Sequence, residues 1–141
     1  MSRFTPEEIE YLQSQRLGRL ATTNGKGDLH VVPVGFRYNP EADTIDIGGH
    51  NFANSKKYRE AIRHGRVAFV VDDVLPPWQP RFIEVRGTVR AFSEGGKAIN
   101  AQFAPDMLRL TPTYIVSFGF DGYGIMPGGQ QQVNYHGRKV E

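Results

Sequence analysis

Cysteine is absent from the 141-residue sequence. This absence excludes a disulfide framework, a thiolate metal site and a cysteine nucleophile, and it suits a cytosolic protein. Long apolar runs are absent too, since no segment approaches the roughly 18 apolar residues that a membrane-spanning helix requires. The opening MSRFTPEEIEYL also lacks the apolar core of a signal peptide. We therefore expect a cytoplasmic protein with no membrane partner.

A strong charge of either sign is also missing, because the formal net charge is only +2. This balance gives no support to a nucleic-acid partner. The four histidines show no helical i,i+4 pair, and the sequence contains no H-E-x-x-H or G-x-S-x-G motif. We therefore predict neither a metal site nor a hydrolytic catalytic residue. With 39% apolar and 23% charged residues, the composition is that of one globular domain, expected over residues 1–141.

Hydrophobic spacing predicts a mainly β protein with a few short helices. Two-residue alternation between turns rich in Gly, Asn, Asp and Pro indicates six strands, over residues 18–23, 29–38, 44–50, 66–73, 81–93 and 113–125. Helices are predicted within residues 4–15, 54–65 and 94–103. Short connections between the strands favour an antiparallel sheet or barrel.

Individual segments have their own signals. Pro33 cannot donate a ladder hydrogen bond, so it marks an edge or a bulge in the second strand. The mostly apolar residues 66–73 predict a strand that is buried on both faces. Three prolines within residues 74–80 indicate an ordered loop, and the tail 126–141, rich in Gly and Gln, is expected to be irregular.

The helix predicted in NSKKYREAIRHG opens with two adjacent lysines, Lys56 and Lys57. Positive charge is unfavourable at a helix N-terminus, which Asn54 or Ser55 would cap. A bound anion would remove this cost, because the capping hydroxyl, the free backbone N–H groups and the lysines could converge on one phosphate. The alternative is a solvated helix start, in which Lys56 pairs with Glu60 at i,i+4 spacing.

Two other segments could contribute to a ligand site. His50 comes just before the lysine-bearing helix, where a strand would deliver it to the phosphate. Trp78 lies in the proline-rich loop that ends at Arg81, and it could stack on a planar ligand while Arg81 supplies charge. It could equally cover the core or a subunit interface. Since the sequence offers no nucleophile and no metal site, a bound cofactor would have to perform the chemistry.

The order of these segments resembles the split-barrel flavin-binding superfamily typified by pyridoxamine 5′-phosphate oxidase, and more narrowly its branch that uses the deazaflavin coenzyme F420. The matching stretches are LGRLATTNGKGDLHVVPVGFRYN, NSKKYREAIRHGRVAFVVDD and PRFIEVRGTVRAF, within residues 5–93, with a looser match over 112–122. The tail QQQVNYHGRKVE lacks the family's C-terminal pyridoxal phosphate signature, so pyridoxamine phosphate oxidase activity is not implied. The resemblance implies a six-stranded antiparallel split β-barrel of the FMN-binding type, paired as a homodimer with the cofactor between subunits.

The resemblance also implies where the cofactor lies. Lys57 matches the phosphate-binding lysine of the family, Pro33 lies in the strand whose backbone contacts the ring, and Asn51 falls where the third strand approaches the phosphate. The loop that contains Trp78 is expected near the groove, where it could reach the partner's cofactor. The expected cofactor-binding residues are Val32, Pro33, Val34, His50, Asn51, Ser55, Lys56, Lys57, Trp78 and Arg81.

The mechanism implied by the resemblance is hydride transfer from reduced F420 to an electron-poor organic acceptor in the groove. Trp78 or Tyr135 would shield the site from water, and solvent would supply the proton. Two alternatives stay open. One is an FMN-binding oxidoreductase of the pyridoxamine 5′-phosphate oxidase-like type, and the other is a non-catalytic module that binds a flavin, haem or another planar anion.

Overall fold

Six antiparallel strands close into a barrel in the computed structural model, which describes residues 1–121, 124–125, 131–132 and 134–141. The barrel strands are β1 (Leu17–Thr23), β2 (Leu29–Asn39), β3 (Thr44–Gly48), β4 (Arg66–Leu75), β5 (Gln79–Phe92) and β6 (Met107–Phe118). They are hydrogen-bonded in the order β3-β2-β1-β4-β5-β6, and a pairing of β3 with β6 closes the ring. The predicted six-stranded antiparallel barrel is confirmed.

Three short helices and one 3₁₀ turn accompany the barrel: α1 (Pro6–Ser14), the turn Phe52–Asn54, α2 (Lys56–His64) and α3 (Gly96–Ile99). Thr5 and Glu8 form a reciprocal capping box at the start of α1, as their spacing predicts. α2 ends at Gly65, whose φ of 72° is a left-handed conformation that favours glycine. No helix in the described residues is long and apolar enough to cross a membrane.

The barrel closes at a buried polar cluster between β3 and β6. Arg109 donates two hydrogen bonds to the Asp46 carboxylate, at 3.0 and 3.2 Å. Asn39 and Thr44 donate to the same carboxylate at 2.9 and 3.0 Å, and Asp46 is only 2% exposed. The carboxylate is therefore fully satisfied, and the cluster joins three strands where β3 meets β6. The fully buried core beside it contains Leu20, Ile45, Ile47, Ile83, Leu108, Leu110 and Ile115.

The β4–β5 hairpin differs from the sequence-based expectations. Along β4, Phe69 and Val71 face the core, whereas Ala68 and Val70 are partly exposed on the outside of the barrel. The prediction of a strand buried on both faces is therefore wrong, because no second layer covers this outer face in the described residues. The predicted loop over 74–80 is also shorter than expected, since β4 and β5 stay paired as far as Leu75 opposite Gln79.

β2 has an unpaired edge at Pro33, which is one of the two possibilities that this proline indicates. β2 pairs with β1 over residues 29–35 in an unbroken register, with Pro33 opposite Arg19. β3 pairs with β2 only from Gly35 onward. Residues 29–34 therefore have no strand on their other side among the described residues, so Pro33 lies at an edge and not in a bulge.

The C-terminal tail is more ordered than predicted. β9 (Tyr135–Lys139) pairs antiparallel with β6, and the short strands β7 (Gly124–Ile125) and β8 (Gln131–Gln132) pair with each other. The expectation of an irregular tail over 126–141 is wrong for β8 and β9, and its residues 126–130 and 133 lie outside the described residues. The last barrel strand runs over Met107–Phe118 and not over 113–125.

β9 is attached to the opposite end of the chain. Arg138 donates to Glu8 at 2.9 Å and to the Arg3 carbonyl at 2.9 Å. Burial alone would raise the pKa of Glu8, but the hydrogen bonds from Arg138 and from the Thr5 backbone outweigh it and lower that pKa. The ion pair thus fixes the tail strand to α1.

Candidate cofactor-binding site

α2 begins with a well-formed cap. Ser55 is the N-cap, and its hydroxyl accepts a hydrogen bond of 3.3 Å from the Tyr58 N–H. The same hydroxyl donates to the Phe52 carbonyl at 2.7 Å, which fixes the chain entering the helix. Of the two caps that the sequence allowed, Ser55 is therefore the one used. The first turn contains no acidic residue.

The two lysines at this helix start have no anionic partner in the described part of the chain. Neither Lys56 nor Lys57 forms a salt bridge there, and the Lys57 ammonium lies 5.7 Å from the centre of the Phe52 ring. The alternative pairing of Lys56 with Glu60 is not formed, because the Glu60 carboxylate turns inward to Thr22 at 2.8 Å. The N-terminal start of α2 therefore combines positive side chains with the positive end of the helix dipole. This arrangement suits an anion.

The open edge of β2 runs beside α2. His30 points inward, with its Nε2 atom 3.6 Å from a carboxylate oxygen of Glu60. The neighbouring Val31 points outward and is 67% exposed. β2 therefore contacts α2 through His30, while its other face, at Val31, points to solvent. Along it Val32 is half-buried, Pro33 is exposed and Val34 is in the core, so Val34 could meet a ligand only through its backbone.

His50 and Asn51 lie on the segment that joins β3 to α2. The His50 ring contacts the Phe103 ring edge-on, with centroids 5.4 Å apart. Asn51 has a left-handed φ of 47°, and its side chain accepts a 2.7 Å hydrogen bond from Asn54. This segment starts where Gly48 pairs with Gly35 of β2. The fold therefore brings the predicted residues of β2, the β3–α2 segment and α2 into one region of the folded structure.

Trp78 and Arg81 lie on the β4–β5 hairpin, and not on β2, the β3–α2 segment or α2. Trp78 is 67% exposed in the turn between β4 and β5. β4 runs for ten residues from the end of α2 to that turn, a span of about 30 Å. Within one chain, Trp78 is therefore remote from His64 at the C-terminal end of α2, which is the opposite end of the helix from Ser55 and Lys57.

Arg81 is engaged by its own neighbours. Its guanidinium donates to both oxygens of Asp73, at 2.8 and 3.0 Å, and lies over the Tyr11 ring. The Arg81 hydrogen bond lowers the pKa of Asp73. Burial, and then the hydrogen bond to Asp73, raise the pKa of the Tyr11 hydroxyl. This geometry gives Arg81 a structural contact that the sequence did not indicate.

A groove on the outer face of the barrel was not predicted. It has a volume of about 240 Å³ and is lined mainly by apolar side chains: Arg19, Ala21, Val31, Ala68, Phe69, Val70, Phe82 and Glu84. The Phe82 ring stacks on the Phe118 ring with centroids 5.4 Å apart, and the centroid of the Tyr135 ring lies 4.6 Å from that of Phe118. The outward positions of each strand alternate with the core positions, but the sequence does not say which strands are adjacent. A flat apolar groove of this kind suits a planar ring.

The chemistry of the described residues thus fits an aromatic cofactor that carries a phosphate. The α2 start offers backbone donors and two ammonium groups for an anion. The β2 edge offers backbone groups that no strand among the described residues uses, and the apolar groove adjoins it through Val31. No cluster of His, Asp and Glu in the described residues could hold a metal ion.

Comparison with known proteins agrees with this fold. No protein-family model matches the sequence. The chain is 41% identical over 121 residues to the 5a,11a-dehydrotetracycline/5a,11a-dehydrooxytetracycline reductase of Streptomyces rimosus, covering 84% of this chain and 85% of that protein.

Two solved structures have a similar fold. An FAD-binding protein from Mycobacterium smegmatis has a TM-score of 0.61 at 24% identity, over 81% of this chain and 93% of that one. A pyridoxamine 5′-phosphate oxidase-related, FMN-binding protein from Nostoc punctiforme has a TM-score of 0.60 at 10% identity, over 99% and 98%.

The closed six-stranded barrel and the likeness to these two structures define the fold as a split β-barrel. The chain belongs to the family of the Streptomyces dehydrotetracycline reductase, and its fold is similar to that of the pyridoxamine 5′-phosphate oxidase-related protein.

Proposed function

We propose that this protein is an F420-dependent reductase that delivers a hydride to an electron-poor carbon–carbon double bond of an organic substrate. The observation that carries the proposal is the cationic start of α2 at Ser55–Lys57, without a carboxylate partner in the described residues, beside the open edge of β2. The 41% identity to a reductase of a 5a,11a-dehydro compound supports an oxidoreductase activity on such a bond.

The α2 start would hold the phosphate of the cofactor. The first backbone N–H groups of α2 donate hydrogen bonds, Lys57 adds a charge-assisted one, and Ser55 would hold these groups in place as the N-cap. Lys56 adds positive charge from the solvent side. Asn51 and His50 flank this position on the segment from β3. This assignment explains why a helix start without any acidic residue is tolerated.

The β2 edge would position the ring. Backbone groups at Val32, Pro33 and Val34 bind its polar rim, and the outer groove at Val31 accepts its flat face. When bound in reduced form, F420 supplies a hydride to the acceptor. The side chains contribute orientation and exclude water, and solvent supplies the proton for the second carbon.

A homodimer would complete the site. Val31, Phe82 and Tyr135 form a partly exposed apolar band on the outer face, and a second subunit can cover it. The exposed Trp78 can then reach the cofactor held by the partner and shield it. Arg81 would hold the Trp78 turn in place through Asp73. Cytoplasmic location stays a prediction.

An FMN-dependent oxidoreductase is the second candidate. The fold similarity to an FMN-binding protein and to an FAD-binding protein favours it, because the same barrel accommodates those cofactors. FMN also presents a phosphate and a planar ring, so the α2 start and the β2 edge suit both candidates.

Cofactor titration followed by turnover tests the proposal. We expect the purified protein to bind F420 more tightly than FMN, and the reduced cofactor to be oxidised when 5a,11a-dehydrotetracycline or a simple enone is added. Tight FMN binding with no F420 binding would overturn the proposal that F420 is the cofactor. Binding of reduced F420 without oxidation by dehydrotetracycline, enone, quinone or nitro acceptors would indicate a non-catalytic binding module.

A further inference from the structure

A pocket lies where the end of α1, the middle of β2 and the α3 segment meet. Apolar side chains of Phe36, Ile99 and Phe103 line it together with the polar side chains of Gln15, Arg16 and Asn100. Its volume is about 240 Å³. Pockets that enclose a whole drug-sized molecule usually measure roughly 300–1,000 Å³. This pocket is therefore of a size to hold one end of a larger organic molecule.

The pocket adjoins one end of the open β2 edge. Val31, Pro33 and Gly35 alternate with the core positions of β2 and therefore share its outward face. Val31 lines the outer groove, whereas Gly35 lines the pocket. The two residues are about 13 Å apart along the strand. A ring held against the backbone of Val32 to Val34 would therefore have the pocket directly beside it.

The wall of the pocket formed by Phe103 is held in place from several sides. A Cβ atom on Gly35 would lie 2.7 Å from the Cε2 atom of Phe103, so only glycine leaves room for the ring where it lies. The Phe103 N–H donates to the Asn100 carbonyl at 2.9 Å, and the Lys97 ammonium donates to the Phe103 carbonyl at 2.9 Å. The same ring contacts His50, on the segment beside the α2 start. The pocket is therefore built on fixed backbone next to the proposed cofactor site.

Arg16 gives the pocket its charge. It is exposed and forms no salt bridge within the described residues, and no acidic side chain among those residues lines the pocket. The side-chain oxygen of Asn100 accepts a 2.9 Å hydrogen bond from the Gln102 N–H, which leaves the Asn100 amide nitrogen as a donor. The pocket thus combines a guanidinium and an amide donor with apolar walls.

We propose that this pocket binds the acceptor substrate of the reductase by a planar oxyanion, either a carboxylate or the enolate of a β-dicarbonyl group. Both groups present two oxygen atoms in one plane, and a guanidinium donates to such a pair through two parallel hydrogen bonds. Ile99 and Phe103 cover the carbon skeleton next to the oxyanion. The inference rests on the proposed function and names its substrate class, an unsaturated ketone with an anionic end.

Arg16 is separate from the residues proposed to hold the cofactor. It lies on the segment that joins α1 to β1, whereas the proposed cofactor contacts come from β2, the β3–α2 segment, α2 and the β4–β5 hairpin. A substitution of Arg16 should therefore change the binding of the acceptor and leave that of the cofactor unchanged. This separation allows the pocket and the cofactor to be tested independently.

The test compares three acceptors that share one enone. They are a cyclohexenone carboxylate, its neutral methyl ester, and an analogue in which an ionised cyclic β-diketone replaces the carboxylate. Steady-state rates with reduced F420 are measured for the wild-type protein, Arg16→Gln, Arg16→Lys and the control Arg90→Gln, which changes an exposed arginine on β5. The affinity for F420 and the melting temperature are measured for every variant.

Arg16→Gln should raise KM about fivefold to tenfold for at least one anionic acceptor, and a rise confined to one of them identifies the oxyanion that the pocket takes. KM for the ester and the affinity for F420 should stay within about twofold of wild type. Arg16→Lys should recover part of the loss, because it keeps the charge without the paired donors, and Arg90→Gln should behave as the wild type does. An equal loss for the ester, or an unchanged KM for both anions, would overturn the inference. So would a matching loss of F420 affinity, which would assign the pocket to the cofactor.

Failure of the proposed function gives a different result. If the wild-type protein reduces none of the acceptors, the proposed activity is wrong, and ligand-observed NMR with the carboxylate and the β-diketone still decides the pocket. Binding that is lost in Arg16→Gln alone would then support an oxyanion site without the reductase activity. Equal signals from the wild type and Arg16→Gln, or no signal from either, would overturn the pocket as well.

Discussion

The Thr22 hydroxyl donates a buried 2.8 Å hydrogen bond to Glu60, and this contact joins β1 to α2. Glu60 lies between the lysines of the α2 start and the open edge of β2, and His30 approaches its other oxygen at 3.6 Å. The bond therefore sets the position of the cationic helix relative to the strand. It also withdraws the only acid of α2 from solvent.

The Thr22–Glu60 contact should stabilise the fold. Thr22→Val keeps the shape of the side chain but leaves a buried carboxylate oxygen without its donor, so we expect the free energy of unfolding to fall by about 1–3 kcal/mol. Urea denaturation measures this loss. Thr88→Val, at an exposed position of β5, is the matched control and should change stability by less than about 0.5 kcal/mol. Equal stability of the two variants would contradict the prediction.

Lys57 should be the lysine that matters most for cofactor binding. Lys57→Ala removes a charge-assisted hydrogen bond to the phosphate, and the binding free energy should weaken by about 1–3 kcal/mol. Fluorescence titration with F420 at low salt measures the effect. Lys139→Ala, on β9, should leave the affinity unchanged. Wild-type affinity in a folded Lys57→Ala protein would exclude the assignment.

The free energy of unfolding should depend on Arg109, the cation that pairs with Asp46 where β3 meets β6. Arg109→Leu leaves the buried Asp46 carboxylate with only its two neutral donors, and stability should fall by about 2–3 kcal/mol. Asp46→Asn in the same background should restore part of the loss, because the uncompensated charge is removed. Chemical denaturation of the single and double variants measures both effects, and a double variant less stable than Arg109→Leu would refute this explanation.

The Arg138–Glu8 pair predicts a pH dependence. The pKa of Glu8 is lowered in the folded state, so its contribution to stability is present above the pKa of the unfolded chain, about 4.3, and is lost as the pH falls through the folded-state pKa. Arg138→Ala should therefore reduce stability most at neutral pH, and progressively less as the pH falls below the unfolded-chain pKa and through the lower folded-state pKa of Glu8. Thermal melts across pH measure the difference, and a pH-independent loss would contradict it.

The apolar outer face predicts the oligomeric state. We expect light scattering to give a dimer for the wild-type protein and a monomer for Val31→Glu, because a buried unpaired charge is costly at an interface. Ile62→Glu changes an exposed apolar residue on α2 instead and should stay dimeric. A monomeric wild-type protein would remove the proposed role of Trp78 in a partner's site.

Local patterns predicted much of the site segment. The stop at Gly65 follows from residues close in sequence, and the structure confirms it. The sequence also narrowed the cap to Asn54 or Ser55 and Pro33 to an edge or a bulge, and the structure has Ser55 and the edge. The Lys56–Glu60 pair was an equally local expectation and is not formed. Its failure has a physical cause, since a buried hydrogen-bond donor on β1 competes with a solvated ammonium for the same carboxylate.

The sequence by itself determined the strand and helix content, the mainly β class and the cationic start of α2. Those properties depend on spacing and capping within a few residues. Tertiary structure alone decided which residues meet across the barrel, because the partners are far apart in the chain. Thr22 and Glu60 are separated by 38 residues, Asp46 and Arg109 by 63, and Glu8 and Arg138 by 130. The outer groove likewise could not be predicted, because its residues come from β1, β2, β4 and β5, whose order in the sheet is a property of the tertiary structure.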